Sequence, residues 1–462
     1  MYAEDTIVAP ATAPGQGAVA IVRLSGPRAL EIARALWHPG RDHEILPRRL
    51  YLGEICDPKT GAAIDRALCV IMPAPNSLTG EHVAELHCHG GVYLTRRVVA
   101  LAMALGARIA EPGEFSRRAF LNGRMDLTEA EAVADLVAAR GEGTLRQALA
   151  HLGGALADRV EGLRRQVVGI RAHLEAEIDF ADEDIRLPSR NEIAQDIKRL
   201  VGDVALLHDS FERGRIMREG ARAVIIGKPN AGKSSVLNLL LGSERAIVTP
   251  IPGTTRDVIE DSIQLGNYPL VLQDTAGVRE SADEVERIGI ARTRRHADEA
   301  DLIIAIFDGS RPFEEEDRDV IRMCRERAGV ALLNKSDLPG VLSPEKLDEH
   351  GLEMPLVIFS ALRAEGVSEL RDRLERAVEA LMGKPGEGGA LGVAISRERH
   401  REALARALDA LESARQAALS SMPPEIVAVD VGLAAEALAS ITGAVTTEDV
   451  LDAVFREFCI GK

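Results

Sequence analysis

Apolar residues step by three or four through Leu149, Leu152, Leu156, Val160, Leu163, Val167, Ile170, Leu174 and Ile178. That spacing lays one stripe along a helix and predicts a long amphipathic helix packed against other helices. Pro188 interrupts the pattern, and Ile193, Ile197, Leu200, Val204, Leu207 and Phe211 then set out the inner face of a second helix. Upstream the texture differs. Short apolar runs at Thr6–Ala9, Ala18–Leu24, Ala67–Met72 and His82–His87, punctuated by Gly and Pro, predict strands, while Pro27–Leu36 and Val92–Leu105 predict helices. From Ala221 to about Met382, the runs 223–226, 270–272, 302–307, 330–333 and 356–359 alternate with helical stretches, which points to βαβ units and a mostly parallel sheet. The Gly-rich segment 383–389 reads as a flexible linker. Helical patterns resume from Arg397 to Lys462.

These textures predict a multi-domain chain, α/β plus α. An N-terminal α/β domain spans 1–121, a helical domain comes in two pieces, 122–217 and 384–462, and a second α/β domain over 218–383 is inserted between them. An insertion works because the ends of a domain tend to lie close together at its surface. Hydrophobic residues at 46% exclude whole-chain disorder. Aromatics at 3% and a net charge of −16 argue against a platform that stacks or coats single-stranded nucleic acid. Five scattered cysteines with no CxxC pair signal neither a disulfide framework nor a thiolate zinc site. The start, Met-Tyr-Ala-Glu-Asp, carries no basic or apolar leader, and no uncharged apolar run reaches ~18 residues. The expectation is a cytoplasmic protein that does not cross a membrane.

Chemistry concentrates in the inserted domain. Gly227-Lys-Pro-Asn-Ala-Gly-Lys-Ser234 fits GxxxxGK[ST] between a strand pattern and a helix pattern. Such a loop turns its main-chain amides onto phosphates at a helix N-terminus, a lysine reaches the β- and γ-phosphates, and a hydroxyl meets Mg²⁺. Asn230, Ala231, Gly232, Lys233, Ser234 and Ser235 are therefore expected at the nucleotide, with Ser234 a magnesium ligand. Gly253-Thr254-Thr255 follows in a Pro/Gly-rich loop, where Thr255 is placed to ligate the same ion. Asp274-Thr275-Ala276-Gly277 follows the run 270–272 and puts a carboxylate at a strand end near the metal. Asn334-Lys335-Ser336-Asp337 and Ser360-Ala361 follow the next runs and complete a base pocket. Asp337 can accept from guanine N1–H and the exocyclic amine together, a donor pair adenine lacks. GTP hydrolysis is the expected reaction. Val278, after the Asp-Thr-Ala-Gly run, cannot orient water as a glutamine would, so another group must.

The flanks carry further motifs: Asp5-Thr-Ile-Val-Ala9, Pro14-Gly-Gln-Gly17, Arg23-Leu-Ser-Gly26, Pro75-Asn-Ser-Leu-Thr-Gly-Glu81, His89-Gly-Gly91, Pro112-Gly-Glu-Phe115, Arg118 through Leu127, and the terminal Phe458-Cys-Ile-Gly-Lys462. With the four nucleotide motifs, they make the chain resemble, end to end, the MnmE (TrmE) family of tRNA modification GTPases, of TrmE-Era-EngA type. The resemblance implies an N-terminal tetrahydrofolate-binding and dimerisation domain, a discontinuous helical domain and an inserted Ras-like P-loop G domain. It implies a homodimer whose potassium-activated GTPase works with the FAD-dependent partner MnmG, in a heterotetramer. Together they add a carboxymethylaminomethyl or aminomethyl group to C5 of the wobble uridine, position 34, of certain tRNAs. The one-carbon unit would come from tetrahydrofolate, bound as 5-formyltetrahydrofolate or 5,10-methylenetetrahydrofolate. By position, Asn230, Thr249, Ile251 and Thr254 match the potassium site, and Thr249 joins the GTP-binding residues. Glu286 matches the water-orienting glutamate, and Arg23, Glu81, Arg124 and Lys462 match folate contacts. Arg124 stands where the family often has lysine.

Several residues admit a second reading. By spacing alone Glu286 reads as a solvated helix residue, and only the resemblance reverses that. Cys459, with Lys462 nearby, is either a catalytic thiol of lowered pKa or a packing residue that closes the pocket. His87-Cys88-His89 looks like a metal trio, but neighbouring strand residues point to opposite faces. A ribosome-assembly switch and a membrane-remodelling GTPase are the rival classes. The first lacks a basic RNA-binding element, and the second lacks a basic amphipathic segment.

Overall fold

A computed structural model describes residues 5–40, 44–139, 141–180, 187–243, 261–273, 296–382 and 393–462. Two compact units emerge, one holding residues 5–134 with 439–462, the other lying within 135–438.

The first unit is built on a seven-stranded sheet of β1 (Ile7–Pro10), β2 (Gly17–Ser25), β3 (Trp37–Pro39), β4 (Tyr51–Cys56), β5 (Ala63–Met72), β6 (Val83–Gly90) and β7 (Arg108–Ile109). Its spatial order is β3-β4-β5-β6-β2-β1-β7, antiparallel except for the β1–β7 pair. Val22 and Leu24 of β2 and Leu86 and Cys88 of β6 share a core with the helices Ala29–Leu36 and Val92–Ala104. The alternating positions Arg23, Glu85, His87 and His89 therefore share the other face. Strand β4 escapes a periodicity search because its inward positions are Gly53 and Ile55. Gly53 is required there, since a side chain would stand 2.6 Å from the Trp37 ring.

Helices Glu114–Leu121 and Glu448–Arg456 pack together with the start of Leu127–Ala138 around Leu127, Ala130, Leu451, Val454, Phe455 and Phe458. Beyond them the terminal residues cross back to the sheet. Ile460 bridges Pro112, the Phe115 amide donates to the Lys462 carbonyl at 3.2 Å, and the Arg23 guanidinium donates to the Gly461 carbonyl at 3.4 Å. Gly461 has φ +96°, and a Cβ there would lie 1.9 Å from the Pro10 carbonyl oxygen, so only glycine lets the tail approach this closely.

In the second unit a six-stranded sheet runs β13-β12-β11-β8-β10-β9, made of β8 (Ala221–Gly227), β9 (Asp261–Leu265), β10 (Tyr268–Gln273), β11 (Leu302–Asp308), β12 (Gly329–Asn334) and β13 (Leu356–Ile358). Five strands are parallel, and β9 pairs antiparallel with β10 at the edge. Every residue of β11 and β12 is buried, as expected for a parallel sheet covered on both faces. The mostly parallel sheet read from the sequence is thus present, with an antiparallel edge that the pattern did not reveal. Helix Glu398–Leu419 packs along Arg190–His208, which opens with a capping box between Ser189 and Glu192.

One expectation is corrected. The stripe from Leu149 to Ile178 is two helices, Glu142–Leu152 and Ala155–Asp179, separated by Gly153-Gly154 with Gly154 at φ +85°. Leu156, Val160, Leu163, Val167, Ile170 and Leu174 are buried on the second, whereas Leu149 is 51% exposed. The periodicity survived the break because two glycines let the chain turn without changing the count of apolar positions. Among the described residues no helix is long and apolar enough to cross a membrane. The linker 383–389 lies outside them.

Candidate functional site

The chain moves from β8 to β9 and β10 on one side of the sheet, then to β11, β12 and β13 on the other. A reversal of strand order of this kind opens a crevice at the carboxyl ends of the strands, the usual ligand position in an open parallel sheet. The loop after β8 enters helix Lys233–Ser243, whose first amides point into that crevice. Lys233 Nζ donates to the Gly227 and Lys228 carbonyls at 2.9 and 3.0 Å, so the ammonium is held across the loop. Burial pushes its pKa below the ordinary lysine value. A half-buried ammonium satisfied by neutral carbonyls fits an anionic ligand well. Asn230 takes a left-handed conformation, φ +62°, and its exposed side chain makes no hydrogen bond among the described residues.

The base-pocket residues come together across three strands. Asn334, at the end of β12, donates from Nδ2 to the Ala231 carbonyl at 2.8 Å and accepts at Oδ1 from the Ala361 amide at 3.1 Å. A Cβ on Gly232 would sit 2.2 Å from that Nδ2, which explains the glycine. Ser360 donates to Asp337 at 2.5 Å, and this hydrogen bond holds the carboxyl below its usual range. Lys335 Nζ bonds Asp308 at the end of β11 at 2.6 Å, and Ser310 donates to the same carboxylate at 2.6 Å. Burial would raise the Asp308 pKa, but Lys335 and then Ser310 outweigh it and hold it low. Sequence reasoning missed Asp308; its only signal is an acid closing an all-apolar run before Gly309-Ser310. Asn230, Ala231, Gly232, Lys233, Ser234, Ser235, Asn334, Lys335, Asp337, Ser360 and Ala361 all belong to this one unit. Thr249, Ile251, Thr254, Thr255, Asp274, Thr275, Ala276, Gly277 and Glu286 lie outside the described residues.

A second polar cluster occupies the first unit. Arg23 is the cross-strand partner of Glu85 and bonds it at 2.8 Å. Glu81 accepts from Ser25 at 2.7 Å and from Arg118 at 3.2 and 3.3 Å. Arg118, only 3% exposed, also bonds Asp5 at 2.6 Å and Glu114 at 2.9 Å. In the sequence Arg118 stands only as a motif residue; its role is hidden because two of its three acidic partners, Asp5 and Glu81, lie far away along the chain. Arg124 is exposed and makes no ion pair among the described residues; its stem lies against Gly80, where a Cβ would stand 3.3 Å from Arg124 Cγ. Lys462 is half-buried, and burial lowers its pKa, with the nearby Arg23 charge adding to the effect. A thiolate on Cys459 would oppose that shift, which places the thiol close to the ammonium. Cys459 is half-buried, whereas burial pushes the Cys69 and Cys324 thiols up to about 12. His87 bonds Glu85, His89 bonds Asp65, and the Cys88 thiol turns into the core toward the Ala20 carbonyl, so the three side chains do not converge.

Two family models match the chain. One, described as GTP-binding protein TrmE N-terminus, covers residues 6–124, and the other, described as MnmE helical domain, covers 127–459. The chain is 40% identical over 460 residues to the tRNA modification GTPase MnmE of Natranaerobius thermophilus, covering 99% of this chain and 100% of that one. Over 467 residues it is 41% identical to the protein of the same name from Geobacter sulfurreducens, with both chains covered in full. For the Moorella thermoacetica protein the figure is 42% over 465 residues, covering 99% of this chain and 100% of that one.

Proposed function

This chain belongs to the MnmE family of tRNA modification GTPases, and from that premise we propose that it hydrolyses GTP to drive modification of the wobble uridine of certain tRNAs. The observation that carries the reading is the gathering of Lys233, Asn334 and Asp337 at the carboxyl ends of β8 and β12, with Asn334 bonded to the phosphate loop itself. Residues 218–383 act as the Ras-like G domain, 1–121 as the tetrahydrofolate-binding and dimerisation domain, and 122–217 with 384–462 as the helical domain. The chain works as a cytoplasmic homodimer and joins the FAD-dependent MnmG in a heterotetramer that adds a carboxymethylaminomethyl or aminomethyl group to uridine C5.

Each residue has a stated task. Lys233 leaves its two carbonyls to meet the β- and γ-phosphates of GTP, while the amides of the loop and of the helix start hold the phosphate oxygens. Asp337 accepts from the guanine edge, and Ser360 fixes its carboxylate. Glu286 holds the attacking water, the task that Val278 cannot perform. Mg²⁺ on Ser234 and Thr255, and K⁺ on Asn230, Thr249, Ile251 and Thr254, would offset charge on the phosphate oxygens. The exposed Asn230 side chain, which makes no hydrogen bond among the described residues, supports the potassium assignment.

In the first unit, Arg23, Glu81, Arg124 and Lys462 bind the folate. Arg124 and Lys462, which make no ion pair among the described residues, suit the carboxylates of such a ligand, and Glu81 suits its ring donors. Cys459 is the thiol nearest this chemistry. Nucleoside analysis of tRNA from cells with and without the gene tests the whole reading. The C5-modified wobble uridines should vanish without it and return with the intact gene but not with Asp274→Ala. Unchanged nucleosides would overturn it. Full modification with Cys459→Ser would remove the catalytic role of that thiol alone.

A further inference from the structure

Lys228, the second residue of the phosphate loop, has its side chain only 4% exposed. Its Nζ donates to Asp317 Oδ2 at 2.8 Å and to Glu314 Oε2 at 2.9 Å. Asp317 is wholly buried. Its Oδ2 also accepts from the Glu314 amide at 3.0 Å, and its Oδ1 has no partner among the described residues. The lysine is therefore the main compensation for a carboxylate taken completely out of water. The main chain of Lys228 faces the other way. Its carbonyl accepts from Lys233 Nζ at 3.0 Å and from the Ala231 amide at 3.2 Å. One residue thus ties the N-terminus of helix Glu315–Cys324 to the loop that carries the phosphate-binding lysine.

We propose that Lys228 is a positioning residue for GTP binding, its buried pair with Asp317 anchoring the phosphate loop so that Lys233 and the loop amides stay aligned. This rests on the reading of that loop as the nucleotide site. Attraction between Lys228 and the nucleotide is not the basis, because two carboxylates already surround the ammonium and leave the trio with a net negative charge. A buried pair also earns its place poorly as a source of stability, since an apolar pair of similar volume is often as stable. What the pair supplies is a fixed geometry between strand end, loop and helix.

The test uses the full-length chain and measures GDP affinity by calorimetry, together with the melting temperature. Lys228→Met leaves Asp317 charged and without its lysine, so both quantities should fall, with affinity down about ten- to a hundredfold. The double variant Lys228→Met with Asp317→Leu removes the orphaned charge, and its melting temperature should recover while its affinity stays low. Recovery of affinity along with stability would make the pair merely structural and overturn the proposal. Wild-type protein that fails to bind GDP would instead overturn the nucleotide site, and the positioning role with it.

Discussion

The side-chain amide of Asn334 donates to the main-chain carbonyl of Ala231 at 2.8 Å, so the residue that closes β12 is hydrogen-bonded to the loop that follows β8. Base recognition and phosphate recognition are therefore one mechanical piece. Asn334→Ala removes that donor and also the acceptor for the Ala361 amide. Each buried group left unpaired costs about 1–3 kcal/mol. GDP affinity measured by titration should fall at least tenfold, and so should affinity for a guanine-free triphosphate analogue, because the loop is disturbed as well as the base pocket.

Asp337 tests base choice without touching the loop. Asp337→Asn replaces an acceptor by an amide donor, which suits xanthine, whose C2 carries an oxygen. GTP turnover should drop sharply while turnover of xanthosine triphosphate appears. Equal loss with both nucleotides would remove Asp337 from the base pocket.

Lys233 gives a pH signature. Its pKa lies below the ordinary 10.5 because the ammonium is buried. As pH rises through that lowered value the free protein loses the proton and with it the attraction for phosphate. Nucleotide affinity should therefore weaken at a lower alkaline pH than an exposed lysine would produce. Lys233→Arg, which does not titrate there, should abolish this slope even where it weakens binding overall.

Arg118 sits among Asp5, Glu81 and Glu114, and it is the least exposed member of that cluster. Arg118→Met should lower stability by about 1–3 kcal/mol, since buried Glu114 loses one of its two guanidinium partners and keeps only Arg108. Burial would raise the Asp5 and Glu114 pKa values, but the Arg108 and Arg118 guanidinium groups outweigh it and hold both low. The stabilisation they contribute is complete above the ordinary carboxylate range, about pH 4. It is lost as pH falls through their lowered folded-state values. Melting of the wild type should thus become steeply acid-sensitive below pH ~4, and the variant should melt with a flatter acid dependence.

How legible all this was depends on the kind of interaction. Strands β11 and β12 were plain because each residue is apolar and both faces are covered. The edge strand β9 hid because only Ile263 and Leu265 face the core. The nucleotide residues could be read because phosphate recognition demands glycines and a lysine at fixed spacing within one loop. For Arg118 the only local sign was Glu114 four residues before it, an ordinary helix spacing, while its other partners are 113 and 37 residues away. Ion-pair clusters leave no period in a sequence. Arg23 and Lys462 became candidates only through resemblance; what the fold adds is that Arg23 donates to the Gly461 carbonyl, next to Lys462.

The crossing of the tail onto the first sheet has a consequence for synthesis. The unit containing β1 to β7 also needs residues 439–462, and residues 135–438 intervene. At the usual ~5–20 residues per second, its sheet leaves the ribosome tens of seconds before the glycine that must slot beside Pro10. A chain released early would carry a finished phosphate loop but an open first unit, with Phe115 and Arg23 deprived of their last partners. Closure of that unit therefore waits for residues 439–462, which are made only after the whole of the second unit.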